Sequence, residues 1–115
     1  MARTPQEIFE HHAQAIGAGD LDGMLADYAE DAVLVTPQGS VHGRQAIGEA
    51  FTGMLGQLPH ATFDMYNQVY ADDVLLVEWA ASGPTGRITD GVDTMVFRAD
   101  EIRVQTVRFT LESTS

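Results

Sequence analysis

Past Pro59 the chain reads almost entirely as strand, and this feature constrains the fold most. Four segments rich in β-branched and aromatic residues, about Ala61 to Tyr70, Val74 to Ser82, Gly91 to Ala99 and Ile102 to Leu111, follow one another with little between them. Asp72-Asp73 and Ala99-Asp100-Glu101 have the composition of tight hairpin turns, and Gly83 to Asp90 that of a looser one. Consecutive hairpins make an antiparallel sheet. Along each strand, side chains alternate between two faces, so one apolar face must be covered. The cover has to come from the first half of the chain.

That half supplies three helices. Thr4 caps the first, with Pro5 in its first turn and Ile8, Phe9, His12, Ala13, Ala15 and Ile16 forming its inward stripe, until Gly17 and Gly19 end it. Asp20 caps a second helix, Leu21 to Tyr28, buried through Leu21, Met24, Leu25 and Tyr28. Ala32 to Thr36 is a strand closed by Pro37, and Pro37 to Gly43 a loop. Gly43 leads into a third helix with Ile47, Ala50, Phe51, Met54, Leu55 and Leu58 on its apolar face. The expected order is therefore α-α-β-α-β-β-β-β. The class is α+β, with three N-terminal helices packed on a curved antiparallel sheet that encloses a pocket.

With 115 residues, the chain is expected to form a single domain over residues 1–115. Its 17 acidic residues face 6 basic ones, all Arg, for a formal charge of −11. Such a surface repels phosphate backbones and anionic lipid, which argues against nucleic-acid and membrane partners. No signal-like or membrane-spanning apolar run is present, so a cytoplasmic protein is expected. The lack of cysteine excludes disulfides, thiolate nucleophiles and Cys-based zinc sites, and the four His share no metal-ligand spacing. Neither a metal nor a cofactor is expected.

The segments "AGDLDGMLADYAEDAVLV" (18–35) and "HGRQAI" (42–47), with the closing strands "DTMVF" and "EIRVQTVRF", resemble the nuclear-transport-factor-2-like superfamily. This group is also known as the cystatin-like α+β cone or SnoaL-like group. The resemblance covers nearly the whole chain and implies a cone-shaped cavity. It leaves function open, because that fold serves isomerases, cyclases, dehydratases, epoxide hydrolases and non-catalytic binders. Ketosteroid isomerases use an Asp base with a Tyr and a protonated Asp. Through "AGDLDG" these positions fall on Thr36, His12 and Asp93, so only the last is kept. The ionisable set of limonene-epoxide hydrolases falls on Trp79-Ala80-Ala81, Val107, Leu34 and Thr36 and is absent.

Asp93 is the leading candidate for chemistry. Alternation places it on one face with Met95 and Phe97, where a carboxylate is costly unless paired or protonated, and desolvation raises its pKa. It reads either as an acid–base group or as a hydrogen-bonded structural Asp near the turn at Gly91. His12 lies in the buried stripe of the first helix, whereas His11 shares a face with Glu7 and points to water. Under the resemblance, His12 and Asp93 face each other across the cavity; the plain alternative is a core histidine bonded to a carbonyl or to Tyr28. Trp79 joins Leu75, Val77 and Ala81 on a strand face that is either pocket wall or ordinary core. Gln105 shares a face with Val107 and Phe109, and its amide needs a partner, a ligand or Thr36. Phe51, Met54 and Met65 offer deformable lining or plain core. Tyr28, Thr36, Phe51, Met54, Met65, Trp79, Gln105 and Phe109 thus form the candidate substrate-binding set, with Asp93 and His12 the candidate catalytic pair.

The expected function is cofactor-independent proton transfer (isomerisation, cyclisation or dehydration) on a small apolar ketone, polyketide or terpenoid. The alternative is a non-catalytic ligand-binding or dimerisation module. Glu78, Thr106 and Arg108 fall on the opposite sheet face, through which the resemblance implies a homodimer.

Overall fold

The computed structural model describes residues 3–113. Helix α1 (Pro5–Ala18) begins at a complete capping box. The Thr4 hydroxyl accepts from the Glu7 N–H, the Glu7 carboxylate accepts from the Thr4 N–H, and Gly19 ends the helix in the left-handed conformation. Helix α2 (Leu21–Leu25) is one turn shorter than the sequence pattern predicts. Tyr28, expected at its end, instead opens strand β1 (Tyr28–Thr36). The expected loop after Pro37 contains a short strand, β2 (Gly39–His42), which pairs antiparallel with β1. Helix α3 (Arg44–Gln57) follows, then β3 (Thr62–Ala71), β4 (Val74–Gly83), β5 (Gly86–Arg98), β6 (Glu101–Arg108) and a two-residue β7 (Glu112–Ser113).

The sheet order is β2-β1-β6-β5-β4-β3, with β7 paired to β5. Pairing is antiparallel everywhere except between β1 and β6, which run parallel, so the sheet is mixed where an antiparallel one is expected. The cause is topological. Helix α3, about 21 Å long at 1.5 Å per residue, carries the chain from one sheet edge to the other. It returns the chain to the level where β2 began, so β3 runs in the direction of β2. Three hairpins then bring β6 alongside β1 pointing the same way.

All three hairpins have two-residue loops. Asp72 and Ala99 take positive φ of 52° and 56° at two of them. The third is Pro84-Thr85, since Gly83 pairs with Gly86, so the looser turn expected from Gly83 to Asp90 is tight and β5 begins five residues early. Residues 89 and 90 form a bulge in β5, opposite Ala80, and further irregularities interrupt β3 and β6. Bulges bend and twist strands, which gives the sheet its curvature.

The concave face carries Leu75, Val77, Trp79 and Ala81 from β4, Met95 and Phe97 from β5 and Val107 from β6, all buried as alternation predicts. Ile8, Phe9, Met24, Ile47 and Phe51 from the helices complete one apolar core. The convex face exposes Val69, Leu76, Val74 and Val35. Among the described residues, no helix is long and apolar enough to cross a membrane.

Candidate active site

Between the helices and the concave face lies an apolar hollow of about 70 Å³. Eight of the ten candidate residues line it: His12, Phe51, Met54, Met65, Trp79, Asp93, Gln105 and Phe109. The other two do not. Thr36 sits at the β1–β2 turn, where its hydroxyl meets the Gln38 side chain and the Gly39 carbonyl, so it is no partner for Gln105. Tyr28 is fully buried behind the wall.

Strand pairing assembles the acid. Asp93 on β5 lies beside Val77 of β4 and Val107 of β6 in register, so its side chain emerges into the hollow between two apolar neighbours. The Trp79 indole N–H donates to one carboxyl oxygen at 2.9 Å, and the Gln105 amide donates to the other at 2.6 Å. Trp79 reaches this position because its cross-strand partner is Gly91. A Cβ there would lie 2.3 Å from the indole, so the ring lies across bare backbone. Phe63 and Phe109 hold the ring from its sides, with centroids 5.9 and 5.7 Å away. Burial pushes the Asp93 carboxyl up to about 6, and the hydrogen bonds from Trp79 and Gln105 pull back only in part, because both donors are neutral.

Behind Asp93 runs a continuous chain of polar groups. The Tyr28 hydroxyl donates to the Gln105 carbonyl oxygen, and His12 Nε2 lies 3.4 Å from the same hydroxyl. Burial holds the Tyr28 phenol well above its ordinary range. His12 Nδ1 donates to Asp27 at 3.3 Å, so His12 and Asp93 are linked through Tyr28 and Gln105 and not by direct contact. His12 is thus a fully buried histidine bonded to Tyr28, as the plain alternative has it, and it lines the hollow as well.

Asp27 is the residue that sequence reasoning missed. It sits between α2 and β1, fixed there because its carbonyl accepts the Ile102 N–H of β6 at 2.8 Å. Its carboxylate is 1% exposed and receives Arg3 at 2.9 Å, His11 at 2.9 Å and His12. Burial alone would raise its pKa, but the hydrogen bonds from His12, His11 and Arg3 outweigh burial and hold it below the ordinary carboxylate range. His11, expected to face only water, keeps 48% of its side-chain surface exposed but turns its ring nitrogen to Asp27. The one available signal was the adjacent pair His11-His12, the second of them on the apolar stripe of α1, and no spacing rule connects that pair to position 27.

The comparisons with known proteins agree with this architecture. A family model described as SnoaL-like domain matches residues 9–105. Comparison with curated proteins gives no significant match. Among solved structures, an NTF-2 like protein of unknown function from Burkholderia xenovorans superposes with a TM-score of 0.80 at 23% identity, covering 92% of this chain and 82% of that one. TerC, co-crystallised with polyporic acid, gives 0.78 at 17% identity over 93% and 92% of the two chains. A protein from Sinorhizobium meliloti named as a candidate polyketide cyclase gives 0.78 at 17% identity over 91% and 99%. At these identities the superpositions establish the NTF2-like α+β fold with its curved mixed sheet, and fold alone does not assign chemistry. With a family model matching most of its length, the chain belongs to the SnoaL-like domain family.

Proposed function

We propose that the hollow binds a small, mostly apolar carbonyl compound of ketone, polyketide or terpenoid type, and that Asp93 moves a proton on it without a cofactor. Isomerisation, cyclisation and dehydration are the reaction classes that fit. The observation that carries this reading is a carboxyl group opening into an apolar hollow with its pKa raised to about 6. Near neutral pH, such a group is a far better base than an ordinary carboxylate, and it is ionised in time to act as one. Trp79 and Gln105 each donate to one of its two oxygens and so fix the orientation of the carboxyl group in the hollow. TerC, which shares the fold, was co-crystallised with polyporic acid, which supports a small-molecule occupant.

The hollow measures about 70 Å³, against roughly 300 Å³ or more for sites that take drug-sized molecules. A substrate therefore enters by displacing side chains, and Met54 and Met65, unbranched and half-buried on the lining, are the ones that yield. This small volume also favours a second reading, a binding module whose interior is filled by its own rings. Incubating the protein with a panel of apolar ketones in D2O and following exchange next to the carbonyl by NMR separates the two. Exchange that disappears in Asp93→Asn establishes the enzyme; equal exchange in that variant overturns it.

The convex face supports a further proposal, a homodimer. Val35, Val69, Val74 and Leu76 expose 40%, 52%, 41% and 38% of their surface on one side of the sheet. Sedimentation should give the mass of two chains, and Leu76→Arg that of one.

A further inference from the structure

The hydrogen-bond chain behind Asp93 can run in two directions, and the direction links the state of Asp93 to the hydrogens on His12 at its far end. Gln105 is buried and satisfied at both ends: its amide nitrogen serves Asp93, so its oxygen is the end that faces Tyr28. A phenol carries one hydrogen, and Tyr28 gives it to that oxygen. His12 Nε2 then faces a hydroxyl oxygen with no hydrogen left to offer, at 3.4 Å, the longest link in the chain. The contact is favourable when Nε2 itself carries a hydrogen. Nδ1 already donates to the Asp27 carboxylate. With hydrogens on both nitrogens, the ring is an imidazolium.

We propose that His12 is a positioning residue for Asp93, its imidazolium orienting Tyr28 and Gln105 in the one direction that presents hydrogen-bond donors to an ionised Asp93. The opposite direction is equally complete. A protonated Asp93 donates to the Gln105 oxygen, the rotated amide donates to Tyr28, the phenol donates to His12 Nε2, and the ring is neutral. The two arrangements contain the same number of protons and differ in where one of them rests. Asp93 ionised together with a neutral His12 is the combination the chain disfavours, because it leaves two lone pairs facing each other.

The groups around this chain permit such coupling. Among the described residues, Asp93 accepts hydrogen bonds from Trp79 of β4 and Gln105 of β6, both neutral, and its charge also acts on the Tyr28 phenol. His12 meets Asp27, with Arg3 and His11 on the far side of that carboxylate, and the ring of Tyr28 edge-on at 5.3 Å. Asp100 lies beyond Arg3.

The inference takes Asp93 as the reacting group of the proposed acid–base site, but its test reads protonation in the unliganded protein and needs no turnover. Imidazole ¹⁵N and carboxyl ¹³C NMR of the full chain across pH 4–9 should show His12 carrying hydrogen on both nitrogens wherever Asp93 is ionised. In His12→Gln and Tyr28→Phe, the Asp93 midpoint should rise by about one pH unit. His11→Gln, which alters the same Asp27 carboxylate without touching Tyr28, should leave it in place. A bare His12 Nε2 beside an ionised Asp93 would overturn the proposal, as would an unmoved midpoint in both relay variants. If those variants fail to fold, the wild-type imidazole spectrum decides alone.

Discussion

Asp27 and Asp93 are two sheltered carboxylates at opposite ends of one hydrogen-bond chain, and their protonation is driven in opposite directions. Each accepts from more than one side chain. Asp27 receives an Arg and two His, and its pKa falls; Asp93 receives an indole and an amide, and its pKa rises to about 6. The number of donors does not separate them, but the charge on the donors does. A cation offsets the loss of hydration that burial imposes on an anion, and a neutral dipole offsets it only in part. One acid thereby becomes a structural anchor and the other a group able to change charge near neutral pH.

The largest effect should come from breaking the anchored end. Asp27→Asn leaves two histidines without their anion and Arg3 with Asp100 alone, and should cost about 3 kcal/mol in urea unfolding at pH 7. In the wild type, the stability that Asp27 contributes is present above about pH 4 and lost as the pH falls below it.

Asp93 behaves in the opposite sense. Its folded pKa lies above the unfolded value, so its favourable contribution is complete below about pH 4 and is lost as the pH rises through about 6. The difference amounts to roughly 3 kcal/mol at pH 8, an upper bound for a carboxyl that keeps some contact with the hollow. Asp93→Asn should therefore unfold at higher urea than wild type at pH 8, by about 1–3 kcal/mol, and should lack the slope between pH 4 and 6. A variant less stable than wild type at pH 8 would show that the carboxylate is held as firmly as Asp27.

A smaller change sharpens the comparison by removing one neutral donor. Gly91→Ala places a methyl where the indole lies and should cost about 1–3 kcal/mol. It should also turn the Trp79 N–H away from Asp93, raise the Asp93 midpoint further and shift the fluorescence of this single tryptophan, while Asp27 stays unchanged.

Much of this was legible in the sequence. The strand faces of β4, β5 and β6 follow from alternation, which groups Asp93, Trp79, Gln105 and Phe109 with apolar neighbours, and the structure turns those faces to the hollow where the pattern left pocket wall and plain core both open. The capping residues of α1 and α2 were equally readable, because caps are local. Tyr28 was misplaced because one residue type at the end of an apolar run fits a helix or a strand, and the pairing of Tyr28 with Ile102, far along the chain, decides which. Thr36 was assigned to the site by resemblance, yet a hairpin that the pattern did not show turns it away.

The amino-acid order by itself determined the α+β class, the covered face of the sheet and the acid that stands on it, since these depend on period, polarity and turn chemistry within short windows. The tertiary structure alone decided the parallel β1–β6 pairing, the anchoring of Asp27 and the path from His12 to Asp93. Each of those joins residues distant in sequence, and the shift of a carboxyl group depends on which charges come within hydrogen-bond reach once the chain has closed.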